Sequence, residues 1–311
     1  VRALIRASLA VFTALTLQAC ANISDSDMTP ESAIAWNGAS LHYREWGEAQ
    51  DRDILLIHGA AANSADMEIS LVPHLNEDYR VVAYDRPGLG RSEGRPDGAG
   101  TLAMQADAAA AVIRARGLER PVVVGHSFGG SVALRLALDH PDLIGGLVLI
   151  SAPSHEWPGD GVSWYNYWST APVIGSIFNN IAVPLVAPGQ LENATHGAFK
   201  PQSPPENYAE RAETARLFEP ASFRANADDI IGLKAEIIEQ SEHYGRFDFP
   251  VAIFHGDADT TVWAEYHADR MAEQIDDSRL VILPGMGHMP HHFEQALIRE
   301  HIDAVYADSR R

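Results

Sequence analysis

An α/β architecture, with a mostly parallel central sheet flanked by helices, is what this sequence predicts. Three observations predict it. Short unbroken apolar runs of strand length recur along the chain, segments of helical period separate most of them, and one long stretch carries helical patterns but no strand. Parallel strands covered by helices on both faces lose the usual apolar–polar alternation and read as continuous apolar runs. The strandless stretch, residues 153–246, is expected to be a helical cap inserted between two sheet strands. The sheet core would then come in two parts, 34–152 and 247–311.

Taken in order, Ala39 to Trp46 alternates and follows the turn former Asn37-Gly38, so it reads as a strand. Asp53 to Ile57 and Arg80 to Tyr84 are short apolar runs. Thr101 to Arg116 is alanine-rich and helical in period, with Thr101 as a cap and Gly117 as its stop. Pro121 to Val124, Gly146 to Ile150, Pro250 to Phe254 and Arg279 to Leu283 complete the strands. Within the cap, helices are expected around Trp164–Ile181, Glu206–Phe218 and Ala221–His243. Trp157, Trp164, Tyr165, Tyr167 and Trp168 crowd its start. They are expected to pack the cap onto the core or to line an apolar cleft, with membrane contact as a third reading.

The balance of charge narrows the partners. The 311 residues carry a formal net charge of −19 and no basic run, which argues against nucleic acid, since phosphate binding needs clustered Lys and Arg. The single cysteine, Cys20, rules out an intramolecular disulfide. Arg2 and Arg6 precede the apolar run Ala7–Leu17, so residues 1–19 read as a signal peptide. Leu17-Gln18-Ala19-Cys20 resembles a bacterial lipobox, although Gln18 is larger and more polar than the usual residue there. The resemblance implies lipidation of Cys20, a flexible tether over 20–33, and an exported protein anchored to the bacterial cell envelope. Plain secretion or a periplasmic location is the alternative. Membrane contact is expected only through that N-terminal lipid.

The chemistry concentrates at Gly125-His126-Ser127-Phe128-Gly129-Gly130. It follows a β-branched run and opens the helical pattern Ser131–Leu138, so strand, sharp turn and helix meet at Ser127. A serine there projects its hydroxyl, and the N–H of Phe128 sits at a helix start where it can face an oxyanion. Serine needs a base and a group to orient that base. Asp257 and Asp259 leave the end of one predicted strand and His288 leaves the next, giving the chain order serine, acid, histidine. Asp257 competes with Asp259, Glu156 is a remote third acid, and His291 and His292 compete with His288.

These segments together resemble the α/β-hydrolase fold family, in its serine-nucleophile group of esterases, haloperoxidase-like enzymes and C–C bond hydrolases. Carrying the resemblance are His58-Gly59, Asp85-Arg86-Pro87-Gly88-Leu89-Gly90-Arg91-Ser92, the Ser127 turn, Gly256-Asp257-Ala258-Asp259-Thr260-Thr261-Val262 and Gly287-His288. Aligning Gly256, Asp259 and Val262 with the family's G-x-x-D-x-x-V selects Asp259. The resemblance also implies an oxyanion hole from the N–H groups of Ala60 and Phe128, with His58 and Gly59 supporting the loop. It implies a serine hydrolase acting through Ser127, His288 and Asp259 on a carboxylic ester or related small acyl substrate, an apolar one, with no cofactor and no metal. A C–C bond hydrolase or an aminopeptidase-like amide hydrolase of the same fold is the first alternative. A non-catalytic ligand-binding surface lipoprotein is the second.

Overall fold

Two residues with positive φ, Asn37 (46°) and Gly38 (82°), turn the chain between β1 (Ala33–Trp36) and β2 (Ala39–Trp46). Such a pair matches the twist of the strands it joins. The computed structural model describes residues 33–48 and 52–311. The signal peptide expected over 1–19, Cys20 and all but the last residue of the 20–33 tether lie outside the described residues.

Six further strands follow: β3 (Asp53–Ile57), β4 (Arg80–Tyr84), β5 (Val122–His126), β6 (Gly146–Ile150), β7 (Val251–Gly256) and β8 (Arg279–Leu283). They pair in the order β1-β2-β4-β3-β5-β6-β7-β8. β2 runs antiparallel to β4, and the pairings from β4 through β8 are parallel. Every residue of β3, β5, β6 and β7 is buried, which is why those segments read as unbroken apolar runs.

Alternate residues of each strand feed two separate cores. Leu55, Ile57, Val123, Leu147 and Ile253 meet α2 (Leu102–Arg116) and α3 (Phe128–Asp139) on one face. Ile54, Leu56, Val124, Val148 and Phe254 meet α1 (Ser64–Ser70) on the other, together with α11 (Gln295–Asp308). Each such aliphatic side chain contributes about 1.5–3 kcal/mol on burial. The cap of α2 is as its sequence suggests: Thr101 Oγ1 accepts the Met104 N–H at 3.3 Å, and Gly117 closes the helix at φ 61°.

Between β6 and β7 the chain is helical. It forms α4 (Trp164–Thr170), α5 (Ile174–Ile177), a π-helical turn over Phe178–Ala182, and α6 (Val183–Val186). The helix expected over 164–181 is thus broken, with a bend of 108°. Pro172 offers no N–H at the break, and Val173 takes φ 63°. Then come α7 (Leu191–Phe199) and α8 (Tyr208–Arg211), followed by the long α9 (Pro220–Ser241). α7 was not expected. α9 has two jobs: Phe223, near its start, lies against Tyr165 and Phe178, while Leu233 and Ile237 join the sheet core. Its second half therefore serves as the crossover helix between two parallel strands. The short helix α10 (Ala268–Gln274) completes that face.

Candidate active site

Ser127 sits between β5 and α3 with φ 50° and ψ −123°, a conformation that a side chain disfavours. Glycine at 129 lets α3 pack this closely on the end of β3: a Cβ there would lie 2.2 Å from the Ile57 carbonyl oxygen. β7 delivers Asp259 and β8 delivers His288, both buried, to the same end of the sheet. Ser127 Oγ–H donates to His288 Nε2 at 3.0 Å. His288 Nδ1–H donates to Asp259 Oδ2 at 2.7 Å. The other carboxylate oxygen, Oδ1, accepts the N–H groups of Thr261 (2.8 Å) and Val262 (3.0 Å). Burial works against the charge on Asp259, but hydrogen bonds from His255 and His288 outweigh it and hold the carboxyl well below the usual range.

The rival residues lie elsewhere. Asp257 accepts the Gly285 N–H at 2.6 Å on the surface, and Glu156 is exposed. His291 and His292 each donate from Nε2 to Asp66, at 3.1 and 2.9 Å. Ala60, Ser127, Phe128, Leu233, Val262 and Trp263 line one pocket of about 170 Å³.

The model of the alpha/beta hydrolase fold family matches residues 54–295 of this sequence. The chain belongs to that family. Among similar proteins, a bifunctional esterase/perhydrolase of Acinetobacter calcoaceticus is 28% identical over 271 residues, covering 81% of this chain and 90% of the relative. A non-heme haloperoxidase of Rhodococcus erythropolis is 28% identical over 263 residues, covering 82% and 91%. Other curated relatives reach 34–37% identity, but the match spans less than half of their own length. Among solved structures, an alpha/beta hydrolase fold protein from Burkholderia ambifaria superposes with a TM-score of 0.73 at 21% identity, covering 89% of this chain and 98% of that one.

In this α/β hydrolase, residues outside the serine, histidine and aspartate hold the site in place. Among them are His58, expected as loop support, and Arg86, Asp229 and His126, to which the sequence assigned no role. His58 Nδ1–H donates to the Gly59 carbonyl at 2.9 Å, and its Nε2 accepts the Arg86 N–H at 3.0 Å. Both bonds require the neutral ring, and burial, then the nearby Arg86 charge, lowers His58 to about 3. Arg86, also fully buried, donates to the carbonyls of His58 (3.2 Å) and Gly59 (3.0 Å). Its guanidinium lies 4.3 Å from the centre of the Phe128 ring and pairs with Asp229 of α9 at 2.5 Å. One cation thus braces both expected oxyanion segments. The Asp85-Arg86-Pro87-Gly88 motif pointed toward Arg86, whereas Asp229 had no signal at all. His126 Nε2–H donates to the His288 carbonyl at 2.9 Å and steadies the histidine loop from below.

Asp66, His126 and His291 place one potential ligand atom each within 4.8 Å, a group among the described residues that could hold a metal ion. The Asp66 oxygens here accept from Tyr208 as well as His291 and His292. Burial opposes the Asp66 charge, and the two histidines beside it outweigh burial and keep its pKa low.

Several buried histidines set an acid limit on stability. Burial, the largest cause in each, lowers His58 and His267 to about 3 and His291 to about 4. In the unfolded chain these rings take up protons near about 6.5. The unfolded state therefore binds more protons below that pH, and stability falls as pH drops from about 6.5 toward 4. We expect the urea midpoint to fall between pH 7 and pH 5, with each such ring costing about 1–2 kcal/mol at pH 5. An unchanged midpoint would mean that the rings take up protons within the fold.

Proposed function

We propose that this hydrolase cleaves carboxylic esters through Ser127, His288 and Asp259. The observation that carries the reading is the continuous chain of two hydrogen bonds from Ser127 Oγ–H through the His288 ring to Asp259, 3.0 and 2.7 Å long. His288 Nε2 takes the serine proton as Oγ attacks the acyl carbon. Asp259 holds the ring in the Nδ1–H tautomer and stabilises the imidazolium that forms. The N–H groups of Ala60 and Phe128, at the pocket wall beside Ser127, receive the oxyanion. The imidazolium protonates the leaving alkoxide, the acyl group stays on Ser127, and water activated by His288 releases it. The Acinetobacter relative, an esterase/perhydrolase, supports ester rather than amide or C–C cleavage. A pocket of about 170 Å³, with Phe128, Leu233 and Val262 in its wall, favours a short acyl chain.

A fluorophosphonate probe tests the nucleophile. We expect one covalent adduct, mapped by peptide mass spectrometry to Ser127. In a panel of nitrophenyl esters, peptide arylamides and a vinylogous diketone, we expect acetyl to butyryl esters to turn over fastest. Folded protein that resists the probe would overturn the assignment. Preference for the amides or the diketone would keep the nucleophile and reject the ester.

A further inference from the structure

In the helices that follow β6, three polar side chains face inward while most of the large apolar ones face outward; Ser176 and Asn180 are exposed and Val183 is buried. Asn166, Ser169 and Asn179 are buried. Ser169 Oγ–H donates to Asn179 Oδ1 at 2.8 Å, and Asn179 Nδ2–H returns a bond to the Ser169 carbonyl at 2.9 Å. On the outside stand Trp164 (67% exposed), Trp168, Val173 (80%), Ile177, Ile181 and Leu185 (78%). A helix whose outer face meets water shows the opposite arrangement. Contiguous apolar surface of this kind marks a contact rather than an ordinary solvated face.

Composition says what the contact is. From residue 161 to residue 191 there is no Asp, Glu, Lys, Arg or His, although the whole chain carries a net charge of −19. Protein partners usually meet a polar rim with arginine among the anchors, and this segment offers no charged anchor. Trp164, Tyr165, Tyr167 and Trp168 cluster at one end, and the exposed valines, isoleucines and leucine follow from Val173 to Val186. Indole and phenol rings favour the headgroup level of a membrane, and aliphatic side chains favour the acyl boundary beneath it. Among the described residues no single helix is long and apolar enough to cross a membrane, and the two halves of this segment bend by 108°.

We propose that the face formed by residues 164–186 docks into the interfacial layer of a lipid bilayer, lying in its plane. The contact is additional to any lipid carried on Cys20. It is driven by burial of apolar surface and owes nothing to anionic lipid, which the net charge of the chain would repel.

The test uses the full chain with Cys20→Ser, which removes the acylation site, and vesicles of zwitterionic phosphatidylcholine. We expect the chain to float with the vesicles and to do so equally at low and high salt. The double variant Ile177→Asp with Leu185→Asp shares the same N-terminus and should bind at least about tenfold more weakly. Its turnover of a soluble ester should match the parent, which shows that it is folded. Equal flotation of the two chains would assign binding to another segment and overturn the proposal. So would a parent that ignores vesicles, including one whose dimer the double variant dissociates, which would make the occupant a second copy.

Discussion

Ser127→Ala lowers turnover of a soluble acetyl or butyryl ester by about a millionfold, the scale seen when a serine nucleophile is removed from a working triad. The size follows from what the serine does. Without Oγ there is no acyl-enzyme, and His288 has no hydroxyl to deprotonate. A residual rate above the uncatalysed one survives, because Ala60 and Phe128 still offer their N–H groups at the pocket wall. Stability should barely change, since alanine accepts the same backbone and only one partly exposed hydroxyl is lost. Steady-state kinetics beside a thermal melt checks both halves. Turnover within about tenfold of the parent would remove Ser127 from the mechanism.

The second large effect is on folding. Asp229→Ala should cost about 3–5 kcal/mol, because it strips the partner from a cation with no access to water. Arg86 and Asp229 are both fully buried, and their 2.5 Å pair joins α9 to the turn after β4. Gln105 Oε1, at 3.4 Å from Arg86, is neutral and cannot replace the lost charge. Arg95, which donates to the same carboxylate at 2.6 Å, would keep Asp228 and the Pro87 carbonyl but leave its own positive charge uncompensated beside Arg86. Urea unfolding measures the loss. A cost below about 1 kcal/mol would mean that water enters and solvates Arg86. Since Arg86 also holds the carbonyls of His58 and Gly59, kcat should fall in whatever fraction remains folded.

The strands after β1 and the turn at Ser127 were legible because their determinants are local: alternation in β2, short apolar runs in the others, and glycines where two backbones touch. Ser127 and His288 stood out because the loops that carry them leave strand ends in a recognisable order, whereas Asp259 was separated from Asp257 only by the resemblance to G-x-x-D-x-x-V. The insertion was less legible. Glu206–Phe218 reads as one helical segment, yet Glu213 takes φ 50° and splits it. Its carboxylate is tied there by Arg44 and Arg91, 169 and 122 positions away, as well as by nearby Arg216. Likewise, Arg86 and Asp229 stand 143 positions apart, and no pattern of spacing joins them. The outward-facing Val173 and Ile177 were read as ordinary helix because periodicity does not say which side faces the core.

The backbone at Ser127 has an evolutionary consequence. At φ 50° and ψ −123°, any residue with a Cβ carries about 1–3 kcal/mol of conformational strain that glycine would escape. A selection that rewarded heat tolerance alone would therefore drift toward discarding the hydroxyl. A residue kept there at a cost in stability is what selection for its hydroxyl would leave, and Ser127→Gly should raise the melting temperature if the strain is as large as this backbone implies.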